Sequence, residues 1–252
     1  GRHIEAPSSA CWHRNWCAVS GRDRSINSGA DYRIEKRNPA SSDAMSRHAA
    51  ILLAAGGSSR LGFPKQLLLK NSVPLVRQMA QLLLETNPAR VIVVTGGASE
   101  DVMAALHELP VECAFNPEWR TGLASSVQSG ILELQGTRFE AALITATDQP
   151  FLTLSHLQQL VESRPANGDI ISGYGVGKGG GIPVCLSRRT TARLSELDGD
   201  AGFRKLWNAH ERPERIENPD LLYDIDTVEN LNLAIDRGVM DAIQPITSFN
   251  HA

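Results

Sequence analysis

Positive charge is what this chain of 252 residues most lacks, since 25 Lys and Arg face 28 Asp and Glu and leave a net charge of -3. Without a basic field, neither nucleic acid nor an anionic membrane surface is an expected partner. No window reaches the apolar length of a bilayer span, so a soluble protein is expected. Cysteine is scarce as well. Cys11, Cys17, Cys113 and Cys185 stand at irregular spacings, with neither a Cys-x-x-Cys nor a His-Glu-x-x-His pairing. That pattern argues against a disulfide scaffold or a zinc site and fits a reducing cytoplasm. Cys113 and Cys185 read as small hydrophobes in or beside strands.

Residues 1–44 lack any helical or strand period; Arg, Ser, Asn and Gly are scattered through them, with Trp12 and Trp16 as large apolar anchors. They hold no continuous apolar stretch for a secretory signal, and Glu5, Asp23, Asp31 and Glu35 argue against a transit peptide. A disordered extension is expected over 1–44, with Met45 as the natural start and one folded domain over 45–252.

From residue 49 the pattern alternates. Apolar runs predict strands over 49–53, 90–95, 111–115 and 141–146, and 3.6-residue periodicity predicts helices over 74–86, 101–108, 123–135 and 154–163. The alternation implies an α/β fold with a doubly wound, mostly parallel sheet in a single domain, and ligands at the carboxyl ends of its strands.

The motif that matters most begins at such an end. Leu53, Ala54, Ala55, Gly56, Gly57 and Ser58 pass from strand to a run of small residues, followed by Arg60 and Lys65. Small residues let main-chain N–H groups approach an anion, and two nearby cations complete a site suited to a triphosphate. The spacing matches neither the P-loop nor the Gly-x-Gly-x-x-Gly dinucleotide fingerprint.

Two acidic segments follow the same rule. Asp148, in Thr145-Ala-Thr-Asp-Gln-Pro150, lies just past a strand, and Asp224 and Asp226 occur in Tyr-Asp-Ile-Asp-Thr late in the chain. Carboxylates beside phosphates are the usual ligands of Mg²⁺. Period-two spacing places Asp224 and Asp226 on one face of a short strand; Asp226 is the candidate ligand with Asp148, and Asp224 reads as bonded to neighbouring backbone. Taken alone, Asp148 reads better as a turn cap, and the second acidic segment is what changes that judgement.

Between them, Gly122, Ser125 and Ser126 open a predicted helix whose first N–H groups are free for a ligand, after a segment in which Trp119 either stacks on a base or packs on a loop. Residues 173–183 contain six glycines and read as an adaptable loop or hairpin tip. Asp200 is placed to cap a helix over 202–208. His107, His156 and His210 lie on helical stretches and read as surface residues.

The stretch Leu-Ala-Ala-Gly-Gly-Ser-Ser-Arg-Leu-Gly-Phe-Pro-Lys-Gln, residues 53–66, with the Asp-Gln-Pro turn and Asp-Ile-Asp-Thr kept in order, resembles the nucleotidyltransferases that share the molybdenum cofactor guanylyl- and cytidylyltransferase fold. Leu61 stands where that family usually has Met, Val228 where it has Pro, and Asn230 where it has an acid. The resemblance implies a Rossmann-like nucleotidyltransferase with Arg60, Lys65 and Asp148 as catalytic residues and Asp148 and Asp226 on Mg²⁺. It also places Gly181, Pro183 and Asp200 on the acceptor side. Its Ala-Ala-Gly form implies CTP as donor, and its membership implies molybdopterin as acceptor, with a molybdoenzyme or its maturation factor as a protein partner. The alternatives are a methylerythritol phosphate cytidylyltransferase, a sugar-phosphate nucleotidyltransferase and, from another class, a nucleotide-binding regulator without turnover. Removal of residues 1–44 should leave the melting temperature and activity unchanged; a fall of several degrees in a thermal melt would show that Trp12 and Trp16 dock on the domain.

Overall fold

The computed structural model describes residues 46–200, 202–207 and 212–242. The expectations for residues 1–44, for His210 and for the end of a helix at Asn208 lie outside the described residues. Strand β1 (Ser46–Ala54) is an inner strand of a seven-stranded sheet, third from one edge. It pairs in parallel with β4 (Val91–Thr95) and with β6 (Phe139–Ala146), and β4 pairs in parallel with β5 (Glu112–Phe115). The short strands β2 (Leu69–Lys70) and β3 (Val73–Pro74) form a separate hairpin.

The continuous apolar run of β1 is covered on both faces. Ala50, Leu52 and Ala54 pack with residues of helices α1 (Leu75–Glu85), α2 (Ser99–Ala105), α4 (Leu154–Glu162) and α6 (Val228–Asp236), among them Met79, Val102, Leu157 and Leu231. Ala49, Ile51 and Leu53 face the other way, toward Val127 of α3 (Leu123–Glu133) and toward Leu194, Phe203 and Leu206. Alternate residues of one strand thus serve two cores, the arrangement that a doubly wound sheet requires. The strands and helices predicted between residues 49 and 163 are present, with ends shifted by a few residues.

The glycine-rich segment departs from expectation. Residues 180–187 form strand β8 (Gly180–Ser187), which runs antiparallel to β6 and to β7 (Ile170–Gly173), so only residues 174–179 are loop. Glycine carries no apolar period, and backbone pairing with β7 makes this strand, with a register shift between Ile171 and Ser172. Strand β9 (Glu214–Glu217) closes the sheet in parallel with β7, and a short helix, α5 (Arg188–Thr191), follows β8.

His156 is not a surface residue. It is 5% exposed, and its Nε2 lies 2.7 Å from Ser172 Oγ. Ser172 gives its only proton to the Pro183 carbonyl, so His156 Nε2–H is the donor to Ser172. His107 is exposed, as expected. Cys113 lies part-buried in β5 and Cys185 buried in β8, and burial pushes their thiols up to about 11 and about 12. Among the described residues no helix is long and apolar enough to cross a membrane.

His48, 2% exposed in β1, gives its Nε2–H to Thr86 Oγ1 at 2.8 Å, and burial lowers its pKa to about 4. The unfolded chain binds this proton at about 6.5, so the contribution of neutral His48 to stability is full above pH 6.5 and is lost as pH falls toward 4. Denaturant unfolding across that window should show a loss of roughly 3 kcal/mol, absent from His48→Gln; an unchanged slope in the variant would refute the assignment.

Candidate active site

The loop after β1 is built by its own side chains. Leu61 and Phe63 are buried anchors, and Leu61 N and Gly62 N both donate to Ser58 O. Leu in place of the family's Met therefore keeps the anchoring function of that position. Pro64 sets the entry to a 3-10 turn, Lys65–Leu67, while Lys65 N donates to Ser58 Oγ at 3.0 Å. Gln66, 1% exposed, ties the loop shut by donating Nε2 to the carbonyls of Ala54 and Gly56 at 2.9 and 2.7 Å. Leu53, Ala54 and Ala55 have buried side chains, so a ligand meets only main chain there. Gly56 and Gly57 are exposed.

Trp119 packs on this loop. A Cβ at Gly57 would come 2.5 Å from its ring, and Cβ atoms at Gly96 and Gly97 would each come 2.9 Å from it. The indole thus spans the glycine turns after β1 and β4, with the Arg120 guanidinium 4.2 Å from the ring centroid. Any larger residue at the three glycines would displace the ring.

At the start of α3 two of the N–H groups expected to be free are taken. Asp200 Oδ1 accepts from Leu123 N at 3.1 Å, and Gly199 O accepts from Ala124 N at 3.0 Å. Asp200 thus sits against the α3 terminus beside Gly122, and the 3-10 turn Phe203–Leu206 that replaces the predicted helix has no side-chain cap. Ser125 Oγ and Ser126 Oγ accept from Asn116 Nδ2 at 2.9 and 3.0 Å, which joins the end of β5 to α3. Their hydroxyls serve the scaffold before they serve any ligand.

Two contacts unite the acidic segments. Ile225 N donates to Asp148 O at 2.8 Å, and Phe151 packs on Tyr223 with ring centroids 5.8 Å apart under the Arg237 guanidinium, 4.0 Å from the Tyr223 ring. Residues 223–226 lie outside any strand, contrary to expectation; Thr227 then caps α6 in a capping box with Asn230. The family's last acid is thereby replaced by a capping residue. Carboxylate oxygens of Asp148, Asp224 and Asp226 all lie within 4.8 Å of one another. Asp224, read from sequence as bonded to neighbouring backbone, does accept from its own main chain and also faces the same centre as the other two.

Lys65 Nζ lies between two of these acids, 2.7 Å from Asp148 Oδ2 and 2.8 Å from Asp226 Oδ1, and Arg60 reaches Asp226 Oδ2 at 2.7 Å. Burial works against the Lys65 ammonium, but Asp148 and Asp226 outweigh it and raise its pKa. Burial likewise opposes the Asp226 carboxylate, and Lys65 with Arg60 overrides it and lowers that pKa. Asp224 is raised by burial and by the two neighbouring carboxylates.

On the other side of Asp148, Gly181 and Pro183 lie at the start of β8, held through Ile182. Its carbonyl accepts from Gln149 Nε2 at 2.9 Å and from Tyr174 O–H at 2.8 Å. Burial, then Asp148 and Asp224, push Tyr174 up to about 12, which keeps it a donor. Sequence reasoning missed Gln66, Gln149 and Tyr174 as site builders, although the first two stand inside its two principal motifs.

A nucleotide-handling class of enzyme fold is thus on view, and the comparisons identify the family. The model of the MobA-like NTP transferase domain matches residues 50–214, and the chain belongs to that family. The bifunctional protein GlmU of Jannaschia sp. (strain CCS1) is 33% identical over 132 residues, which are 50% of this chain and 28% of that protein. The chain therefore spans little more than a quarter of that relative's length. Among solved structures, the rv0371c homologue from Mycobacterium sp. strain JC1 superposes with a TM-score of 0.67 at 26% identity, covering 78% of this chain and 98% of that one. Rv0371c of Mycobacterium tuberculosis H37Rv, in a complex with manganese, gives a TM-score of 0.63 at 21% identity and covers 76% and 99%.

Gln66→Leu keeps the volume but leaves two loop carbonyls without their donor. It should cost about 1–3 kcal/mol in denaturant unfolding; a loss under about 0.5 kcal/mol, typical of surface changes, would show that the loop does not depend on it.

Proposed function

We propose that the chain is a Mg²⁺-dependent cytidylyltransferase, which joins the CMP moiety of CTP to a phosphate of molybdopterin and releases pyrophosphate. The observation that carries the reading is the meeting of Lys65, Arg60, Asp148, Asp224 and Asp226 at the carboxyl edge of the sheet, beside the Gly56–Gly57 main chain. Family membership supports an NTP as donor. The choice of CTP rests on the Ala-Ala-Gly form of the loop and the choice of acceptor on the resemblance of the motifs. A divalent ion is supported by the three-carboxylate donor set and by the manganese of the M. tuberculosis protein. A cytoplasmic place, with a molybdoenzyme or its maturation factor receiving the product, completes the reading.

The acceptor phosphate is ionised near neutral pH, so its oxygen attacks the α-phosphorus without a general base. One O–P bond forms as the bond from the α-phosphorus to the bridging oxygen breaks, and the electron pair leaves on pyrophosphate. Main-chain N–H groups at 56–58 face the phosphates, and Lys65 and Arg60 neutralise the charge that develops on the leaving group. Asp148 and Asp226, with Asp224, would hold Mg²⁺, which when bound adds Lewis-acid polarisation of phosphate oxygens. Gly181 and Pro183 border the acceptor, and Asp200 orders the loop over Gly122.

Pyrophosphate release should appear with CTP and molybdopterin in a panel of four NTPs and three acceptors, the others being methylerythritol phosphate and a sugar 1-phosphate. Activity with a different pair would move the assignment within the family, and none with any pair would favour a regulator. Lys65→Ala should lower kcat on the order of 10²-fold, and Asp148→Ala should remove most turnover while only partly weakening nucleotide binding. Turnover within about threefold of wild type in either variant at saturating Mg²⁺ would refute these roles.

A further inference from the structure

Two cations already occupy two of the three carboxylates that face this centre, those of Asp148 and Asp226. Lys65 Nζ bridges Asp148 Oδ2 and Asp226 Oδ1, and Arg60 takes the second oxygen of Asp226. A divalent ion ligated by the same oxygens would sit at about 2.1 Å from each, in the space that the Lys65 ammonium fills. Two like charges cannot share that position. The Lys65 side chain is only 12% exposed, so when displaced it needs another anion within its reach, and Lys65 N donates to Ser58 Oγ, which ties the residue to the main chain at 56–58 that the proposed function assigns to phosphates.

We propose that Lys65 couples the binding of a divalent cation to the binding of a polyphosphate: the cation enters the carboxylates as the polyphosphate draws the Lys65 ammonium, and the Arg60 guanidinium with it, onto its own oxygens. Lys65 is then a built-in counterion that holds Asp148 and Asp226 together without a metal and disfavours free metal ions. By linkage, the factor by which the polyphosphate tightens the metal equals the factor by which the metal tightens the polyphosphate. The inference rests on reading the centre as a site for a metal-bound polyphosphate, and it adds an order of events to that reading.

Calorimetric titration with Mn²⁺ tests it, first alone and then with saturating inorganic pyrophosphate. Mn²⁺ alone should bind Lys65→Met about tenfold or more tightly than wild type. Pyrophosphate should tighten Mn²⁺ by at least a similar factor in wild type and by less than about threefold in the variant. Arg60→Met, altered at a side chain 68% exposed, should show a smaller gain for Mn²⁺ alone and supplies the comparison if Lys65→Met fails to fold. Wild type that binds Mn²⁺ alone as tightly as the variants, with no response to pyrophosphate, would overturn the proposal. Coupling seen with pyrophosphate but not with CTP would leave it standing and defeat the CTP assignment instead.

Discussion

Three carboxylates with oxygens inside 4.8 Å of one another repel, and the structure holds them only because cations stand among them. At an effective dielectric near 20, each pair of full charges at that separation costs roughly 3 kcal/mol. Lys65 and Arg60 offset this for Asp148 and Asp226, whereas Asp224, outside both ion pairs, meets the repulsion by a raised pKa. The loop after β1 and the two acidic segments are thus parts of one electrostatic unit, although they are separated by up to 166 residues in sequence.

The fold makes that unit possible by geometry. Parallel pairing puts the ends of β1, β4 and β6 at one edge, and each end carries a turn of small or polar residues that a buried apolar strand has delivered there. The last acidic segment has no strand to deliver it. Its place depends on the Ile225 to Asp148 hydrogen bond and on the stack of Phe151, Tyr223 and Arg237, so its precision comes from contacts with the turn it serves.

The sheet was legible because its signal is local: the apolar runs at 49–53 and 141–146 and the 3.6-residue pattern of 75–85 each report their own burial. Arg60, Lys65 and Asp148 were legible because they follow buried apolar strands, and Asp226 because its motif resembles that of the family. What escaped was non-local. The strand of Gly180 and Gly181 exists through pairing with β7 and shows no side-chain period. His156 reads as a polar residue on an outer helix face because its partner Ser172 lies in strand β7, 16 residues away. Asp224 differs from Asp226 by two positions only, and no sequence pattern tells which carboxylate faces the centre when the segment is not a strand. The N–H groups of α3 looked free because Asp200, which takes one of them, is 77 residues away.

The single antiparallel strand of the described sheet explains why the segment proposed to border the acceptor lies next to Asp148 at all. In a parallel strand, residues at the catalytic edge come at the end of the strand, but β8 enters the sheet there and leaves at the opposite edge. Its register pairs Ile144 with Val184, and continuing that pairing carries residues 181–183 alongside 145–147, immediately before Asp148. Gln149, the neighbour of the candidate metal ligand, donates to Ile182 and locks that alignment, and Tyr174 holds the same carbonyl from β7's side. A shift of β8 by one residue would therefore break both hydrogen bonds and turn the faces of Gly181 and Pro183 over together. The glycines and the Asp-Gln-Pro turn form a single constraint, and that constraint fixes the distance between the three clustered carboxylates and whatever approaches from the β8 side.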